Sequence, residues 1–152
     1  MLEIRRGDLT RPDVLALLQA HADLMLALSP PGSCHFLPAE GLAQDEVTFW
    51  DMRDGGELVG CGALQALGHG EGEIKSMHVQ GTQRGRGLSR RMLEHIIAEA
   101  RRREYVRLNL ETGPKEGFLP ARRLYEAYGF LYCGPFGSYG GDPNSVFMTL
   151  EL

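Results

Sequence analysis

One stretch limits the folds open to this chain more than any other: Val79-Gln80-Gly81-Thr82-Gln83-Arg84-Gly85-Arg86-Gly87-Leu88-Ser89-Arg90-Arg91-Met92-Leu93. It reads as a β-strand running into a glycine-rich turn that opens a long amphipathic helix, with Leu88, Met92, Leu93, Ile96, Ile97 and Ala100 on one face. Such a helix needs a sheet to cover its apolar stripe. Its first backbone N–H groups have no intrahelical acceptor, and the helix dipole adds partial positive charge there, so main chain alone can hold a phosphate. Gly85 and Gly87 let the backbone come close, and Arg84 and Arg86 flank the turn, placed to add charge-assisted hydrogen bonds. Two other phosphate loops are excluded by spacing. There is no Gly-x-x-x-x-Gly-Lys-Ser/Thr, and no Gly-x-Gly-x-x-Gly followed by an acidic residue about 20 positions on.

Around this segment the periodicity predicts a β-α-loop-β-β-β-α-β-α-β-β order. Leu2 to Arg6 alternates as a strand; a helix follows with Thr10 as its N-cap and ends before Ser29. Residues 29–44 look irregular. Strands at Val47 to Arg53 and Leu58 to Leu67 flank the hairpin turn Asp54-Gly55-Gly56, and Glu73 to Val79 leads into the glycine loop. Tyr105 to Leu110 reads as a strand. A helix from Leu119-Pro120 presents Ala121, Leu124, Tyr125 and Tyr128 at helical spacing until Gly129 closes it, and Phe130 to Cys133 and Val146 to Leu150 complete the strands. An antiparallel front half followed by strand-helix-strand units predicts a mixed α/β sheet.

The 152 residues suffice for one domain with a real core, spanning 1–152. A net charge of −4 argues against nucleic-acid binding, and Arg101-Arg102-Arg103 reads as a solvated helix C-terminus. No apolar run approaches a membrane span, and Met1 to Asp8 lacks the apolar core of a secretion signal, so the expected location is cytoplasmic. Cys34, Cys61 and Cys133 are odd in number and read as buried, inert thiols. His21, His35, His69, His78 and His95 have no metal-ligand spacing, so no metal is expected.

Arg84-Gly85-Arg86-Gly87-Leu88-Ser89 resembles the pyrophosphate loop of the GNAT acetyltransferase superfamily, Arg/Gln-x-x-Gly-x-Gly/Ala, with Ser89 where the family has Gly or Ala. Ala121 to Phe130 is similar to the family's second landmark, Ala-x-x-Leu-Tyr-x-x-x-Gly-Phe. Phe118 stands where many relatives have Asn. The tail and Leu110-Glu111-Thr112-Gly113 look like a small bacterial subgroup. The resemblance implies an α/β (α+β) acyl-CoA N-acyltransferase fold, a mixed and mostly antiparallel central sheet flanked by helices.

It also implies an enzyme that moves acetyl from acetyl-CoA, its co-substrate, to a primary amine of a small molecule or peptide. A non-catalytic acyl-CoA-binding regulatory module is the alternative, and a homodimer is left open. By the resemblance, the backbone of Met77, His78 and Val79 would hold the pantetheine arm, and Arg84, Gly85, Arg86, Gly87, Leu88 and Ser89 the pyrophosphate. Tyr125 would be the general acid beside the sulfur. Glu73 occupies the position some relatives use for a general base; strand alternation places it on one face with Lys75, Met77 and Val79, and His78 opposite. The acceptor would approach past residues 29–44 and the loop Gly134 to Ser145, whose handles are His35, Phe36, Phe136, Tyr139, Asp142 and Asn144.

Overall fold

A computed structural model describes residues 1–30 and 37–152. Seven strands form one sheet in the order β1-β2-β3-β4-β5-β7-β6. They are β1 Leu2–Arg6, β2 Val47–Asp54, β3 Glu57–Gly68, β4 Glu71–Val79, β5 Arg107–Thr112, β6 Leu131–Cys133 and β7 Val146–Glu151. Among the described residues four α-helices accompany them: α1 Pro12–Leu28, α2 Ala39–Leu42, α3 Leu88–Arg102 and α4 Leu119–Ala127. Every strand pair is antiparallel except β4 with β5.

The sheet separates two apolar layers. On one face Leu88, Met92, Leu93, Ile96, Ile97 and Ala100 of α3 pack on Trp50, Val59, Leu64, Ile74, Leu108 and Met148. Gly62 is what lets α3 sit so low on β3, because a Cβ there would meet Met92 Cγ at 2.7 Å. On the other face Val14 and Leu17 of α1 pack on Phe49, Leu58, Cys61 and Ala63. The α3 stripe follows the spacing read from the sequence, since a helix lying on a sheet must bury what recurs every three to four residues.

Local departures from the expected order have physical causes. Thr10 is not the N-cap of α1: Asp8 accepts from the Thr10 amide at 2.9 Å, and Arg11 precedes the first helical residue without a side-chain cap. β5 starts at Arg107 rather than Tyr105, because Glu104 takes φ of 63° and the Tyr105 amide donates back to Ala100 O, finishing the α3 turn. Residues 39–42 form a helical turn inside the stretch expected to be irregular. Gly129, with φ of 92°, ends α4 as expected.

Candidate functional site

The site is built on a fork in the sheet. β4 and β5 pair only at Glu71 with Arg107, Gly72 with Leu108 and Glu73 with Asn109, although β4 runs on to Val79 and β5 to Thr112. Beyond Glu73 the two strands diverge and their facing edges open a cleft. Between Lys75 and His78, β4 also carries a bulge: Ala63 pairs with Lys75 but Cys61 with His78, so three steps on β4 oppose two on β3. Ser76 at the bulge has φ of 54°, and the Cys61 thiol donates to its carbonyl at 3.2 Å.

The bulge corrects the face assignment made from alternation. An extra residue inverts the pattern beyond it. Glu73 and Lys75 therefore share a face with His78, not with Met77 and Val79, which join the α3 side of the core. His78 meets His21 of α1, their Nδ1 atoms 3.4 Å apart, so one ring donates and the other accepts. Burial pulls both imidazoles down to about 4; the nearby His78 adds to the effect on His21, and Arg84 to that on His78. The pair is neutral at physiological pH and ties α1 to the splayed strand.

After Val79 a 3-10 turn, Gly81–Gln83, leads to Gly85 and Gly87, whose φ angles of 83° and 74° suit glycine alone without strain. Gly87 is the N-cap of α3, with no side chain capping the helix, and beyond the adjoining residues no atom lies within 4 Å of where a Cβ on either glycine would stand. The first amides of α3 thus open onto free space. A cleft of about 450 Å³ runs from there past Arg84, Leu88, Ser89 and Arg90, along His78 and Val79, to Met77, Pro120 and Tyr125. Unlinked amides at a helix start, two arginines and a long groove fit a pyrophosphate with an extended thioester arm. Arg86 stands outside this lining: its guanidinium donates to Asp54 at 2.7 Å and contacts Gln83, bracing the loop against the β2–β3 hairpin.

α4 brings Tyr125 to the inner end of the cleft. Arg122 donates to the carbonyls of Gly113 and Lys115, at 2.6 and 3.0 Å, and so fixes the link from β5 to α4. Phe118 covers Gly113, where a Cβ would strike the ring at 2.4 Å. The Tyr125 hydroxyl lies 4.0 Å from Met77 Sδ and its ring tilts against Phe130. Burial raises the phenol to about 12, so it is a proton donor throughout the neutral range.

A smaller inner cavity, about 130 Å³, shares His21, Met25, Met77, Phe118, Ala121 and Tyr125 with the long cleft and extends to Glu73, Lys75 and Glu111. Glu73 is buried here, not solvated beside a turn. Its Oε2 accepts from Lys75 Nζ at 3.1 Å and from the Tyr139 hydroxyl at 2.6 Å, and Lys75 also donates to that hydroxyl at 2.9 Å. Tyr139 is steadied by edge contacts with Phe136 and a tilted contact with Phe147. Asp142 accepts from the Asn144 amide at 2.8 Å, shaping the turn before β7.

Of the acceptor handles expected from the sequence, Tyr139 thus reaches the cavity's charged groups, Phe136 props it, and Asp142 and Asn144 form a turn nearby. His35 and Phe36 lie outside the described residues, as does Cys34. Cys61 is buried and its thiol is pushed up to about 12 by burial, whereas Cys133 on the edge strand β6 is exposed, against expectation. Reading the sequence missed Arg90, Lys75 and above all Glu111, whose carboxyl is pushed up to about 7, first by burial. A charged residue two places beyond the last β4–β5 pair, within the strand Arg-Leu-Asn-Leu-Glu-Thr, is the signal that could have found it.

No helix among the described residues is long and apolar enough to cross a membrane. The profile of the acetyltransferase (GNAT) family matches residues 17–130. The chain is 49% identical to the uncharacterized N-acetyltransferase YsnE of Bacillus subtilis over 151 residues, covering 99% of this chain and all of that one. It is 42% identical to the uncharacterized N-acetyltransferase YedL of Escherichia coli over 152 residues, covering 100% of this chain and 96% of YedL. A Klebsiella pneumoniae crystal structure assigned to the acyl-CoA N-acyltransferases superposes with a TM-score of 0.80 at 31% identity, covering 100% of this chain and 98% of that one. A seven-stranded, mostly antiparallel sheet forked beside a glycine loop agrees with these matches; the chain belongs to the GNAT acetyltransferase family and is an acetyl-CoA-dependent acetyltransferase.

Proposed function

We propose that the protein transfers the acetyl group of acetyl-CoA to a primary amine of a small molecule. The observation that carries this reading is the position of Tyr125, in the lining of both the long cleft and the inner cavity. A thioester drawn along the long cleft would meet, at that junction, an acceptor lodged in the smaller cavity. The amides of Leu88 and Ser89, with Arg84 and Arg90, would hold the pyrophosphate, and the main chain of Met77, His78 and Val79 the pantetheine arm. A main-chain amide of the bulged strand, at Met77 or Val79, would polarise the thioester carbonyl.

Tyr125 would act on the departing sulfur. A phenol at about 12 is a weaker acid than a thiol of pKa about 8.5, so its first contribution is a hydrogen bond that stabilises the thiolate as it forms. On the acceptor side the cavity is lined by two carboxyl groups, Glu111 and Glu73, the latter engaged by Lys75 and Tyr139. Carboxylates and a volume of about 130 Å³ suit the aminomethyl end of a small molecule better than a bulky or anionic acceptor. A purely CoA-binding regulatory role would use the loop and leave this inner cavity without a purpose.

The test is a panel of small primary amines assayed by thiol release from acetyl-CoA, with product mass checked for an added acetyl group. Turnover with at least one amine is expected. Acetyl-CoA binding without transfer to any member of the panel would count against the reading.

A further inference from the structure

We propose that Glu111 receives the acceptor's ammonium group and takes its proton, so that the β5 edge of the fork, not β4, supplies the base for acetyl transfer. This inference rests on the acetyl-transfer reading above. Three features of the structure support it.

The first is place. β4 and β5 cease to pair at Glu73 and Asn109, and Glu111 follows Asn109 on the same face of β5. It lines the inner cavity together with Tyr125, so a nitrogen held between the two would face the region proposed above for the thioester.

The second is the state of the rival carboxylate. A single oxygen of Glu73 accepts from both Lys75 and Tyr139. Protonating that oxygen would weaken two charge-assisted hydrogen bonds in a buried site. Glu73 is better suited to fix Lys75 and Tyr139 than to cycle a proton.

The third is the setting of Glu111. Glu73 and Lys75 face it from β4, and Asp142 and Ser145 from the segment before β7. Burial chiefly, then the negative charges of Glu73 and Asp142, push its carboxyl up to about 7, while Ser145 and Lys75 oppose them. A base poised there is half ionised at neutral pH, which suits general-base catalysis. A cationic ammonium arriving beside it favours the ionised form, so binding prepares the acceptor for proton transfer.

The proton count closes. The ammonium gives one proton to the Glu111 carboxylate, and the freed lone pair forms the N–C bond at the thioester carbonyl as the C–S bond breaks. The nitrogen's second proton ends on the sulfur by way of the Tyr125 hydroxyl, giving amide and thiol. Glu111 then releases its proton to solvent. The ligand class is a primary alkylammonium ion.

The experiment is the pH dependence of kcat/KM for the full chain with two probes: the fastest amine of the panel and its β-fluorinated analogue, whose ammonium is more acidic. With both, the acidic limb should centre near the Glu111 value, about 7. Glu111→Gln should lose this limb and about 10²-fold in rate at neutral pH, with acetyl-CoA affinity by calorimetry retained as a folding control. Glu73→Gln should keep the limb. A limb that moves with the amine's own pKa, one that survives in Glu111→Gln, or one that vanishes only in Glu73→Gln overturns the proposal. The two-amine comparison needs no variant and stands if Glu111→Gln does not fold. Failure of every amine would instead remove the acetyl-transfer reading, and this inference with it.

Discussion

The hydroxyl of Tyr139 donates to Glu73 Oε2 at 2.6 Å across 66 residues of sequence, joining the loop before the last strand to the strand that precedes the glycine loop. Lys75 completes the triangle from the same strand as Glu73. The contact ties the pre-β7 loop to Glu73 and Lys75, both of which line the inner cavity.

Tyr139→Phe keeps the packing against Phe136 and Phe147 but removes this donor. A hydrogen bond to a buried carboxylate contributes about 1.5–3 kcal/mol, so urea unfolding should show a loss of that order. KM for the amine should rise while acetyl-CoA affinity holds. Unchanged stability together with unchanged amine KM would mean that the hydroxyl contributes nothing to the site.

Tyr125→Phe preserves the contact with Phe130 and takes away only the proton donor. We expect kcat to fall by about 10²-fold, with KM for acetyl-CoA little changed. Steady-state kinetics decides the matter, and wild-type turnover would return Tyr125 to a packing role.

Gly87→Glu places a carboxylate where α3 offers its free amides and forces a side chain onto a residue with φ of 74°. Binding of acetyl-CoA, followed by titration calorimetry, should be abolished in a protein that still unfolds cooperatively. Undiminished affinity would separate the loop from the cofactor.

His21 and His78 predict an acid-sensitive fold. Both are held near 4 in the native protein against an ordinary 6.5. A depressed histidine pKa means that the unfolded chain takes up protons which the native state refuses, so stability is full above about 6.5 and drains away as pH falls toward 4. Between pH 7 and pH 5 the loss from His21 alone should be about 1–2 kcal/mol. Urea midpoints measured at both pH values should show it, and His21→Gln should flatten the difference. A midpoint difference as large in His21→Gln as in the parent chain would assign the acid sensitivity to other groups.

The sequence by itself determined the order of the strands and of α1, α3 and α4, the α3 stripe from Leu88 to Ala100, the glycine turn at Gly85 and Gly87, and Tyr125 on the buried face of α4. These are local properties. Side-chain periodicity and the φ freedom of glycine act within a few residues, and no distant partner is needed to read them. Tertiary structure decided what the local pattern could not carry. The extra residue near Ser76 reverses the faces of Met77, His78 and Val79, and strand alternation has no means of announcing a bulge. Arg86 is drawn to Asp54 rather than into the cleft because a hairpin 32 residues earlier in sequence lies beside the loop. The surroundings of Glu111 are supplied by β4 and the pre-β7 segment, so its raised pKa comes from burial and charges assembled only when the sheet forms. A carboxylate's chemistry depends on solvent access and neighbouring charge, and folding sets both.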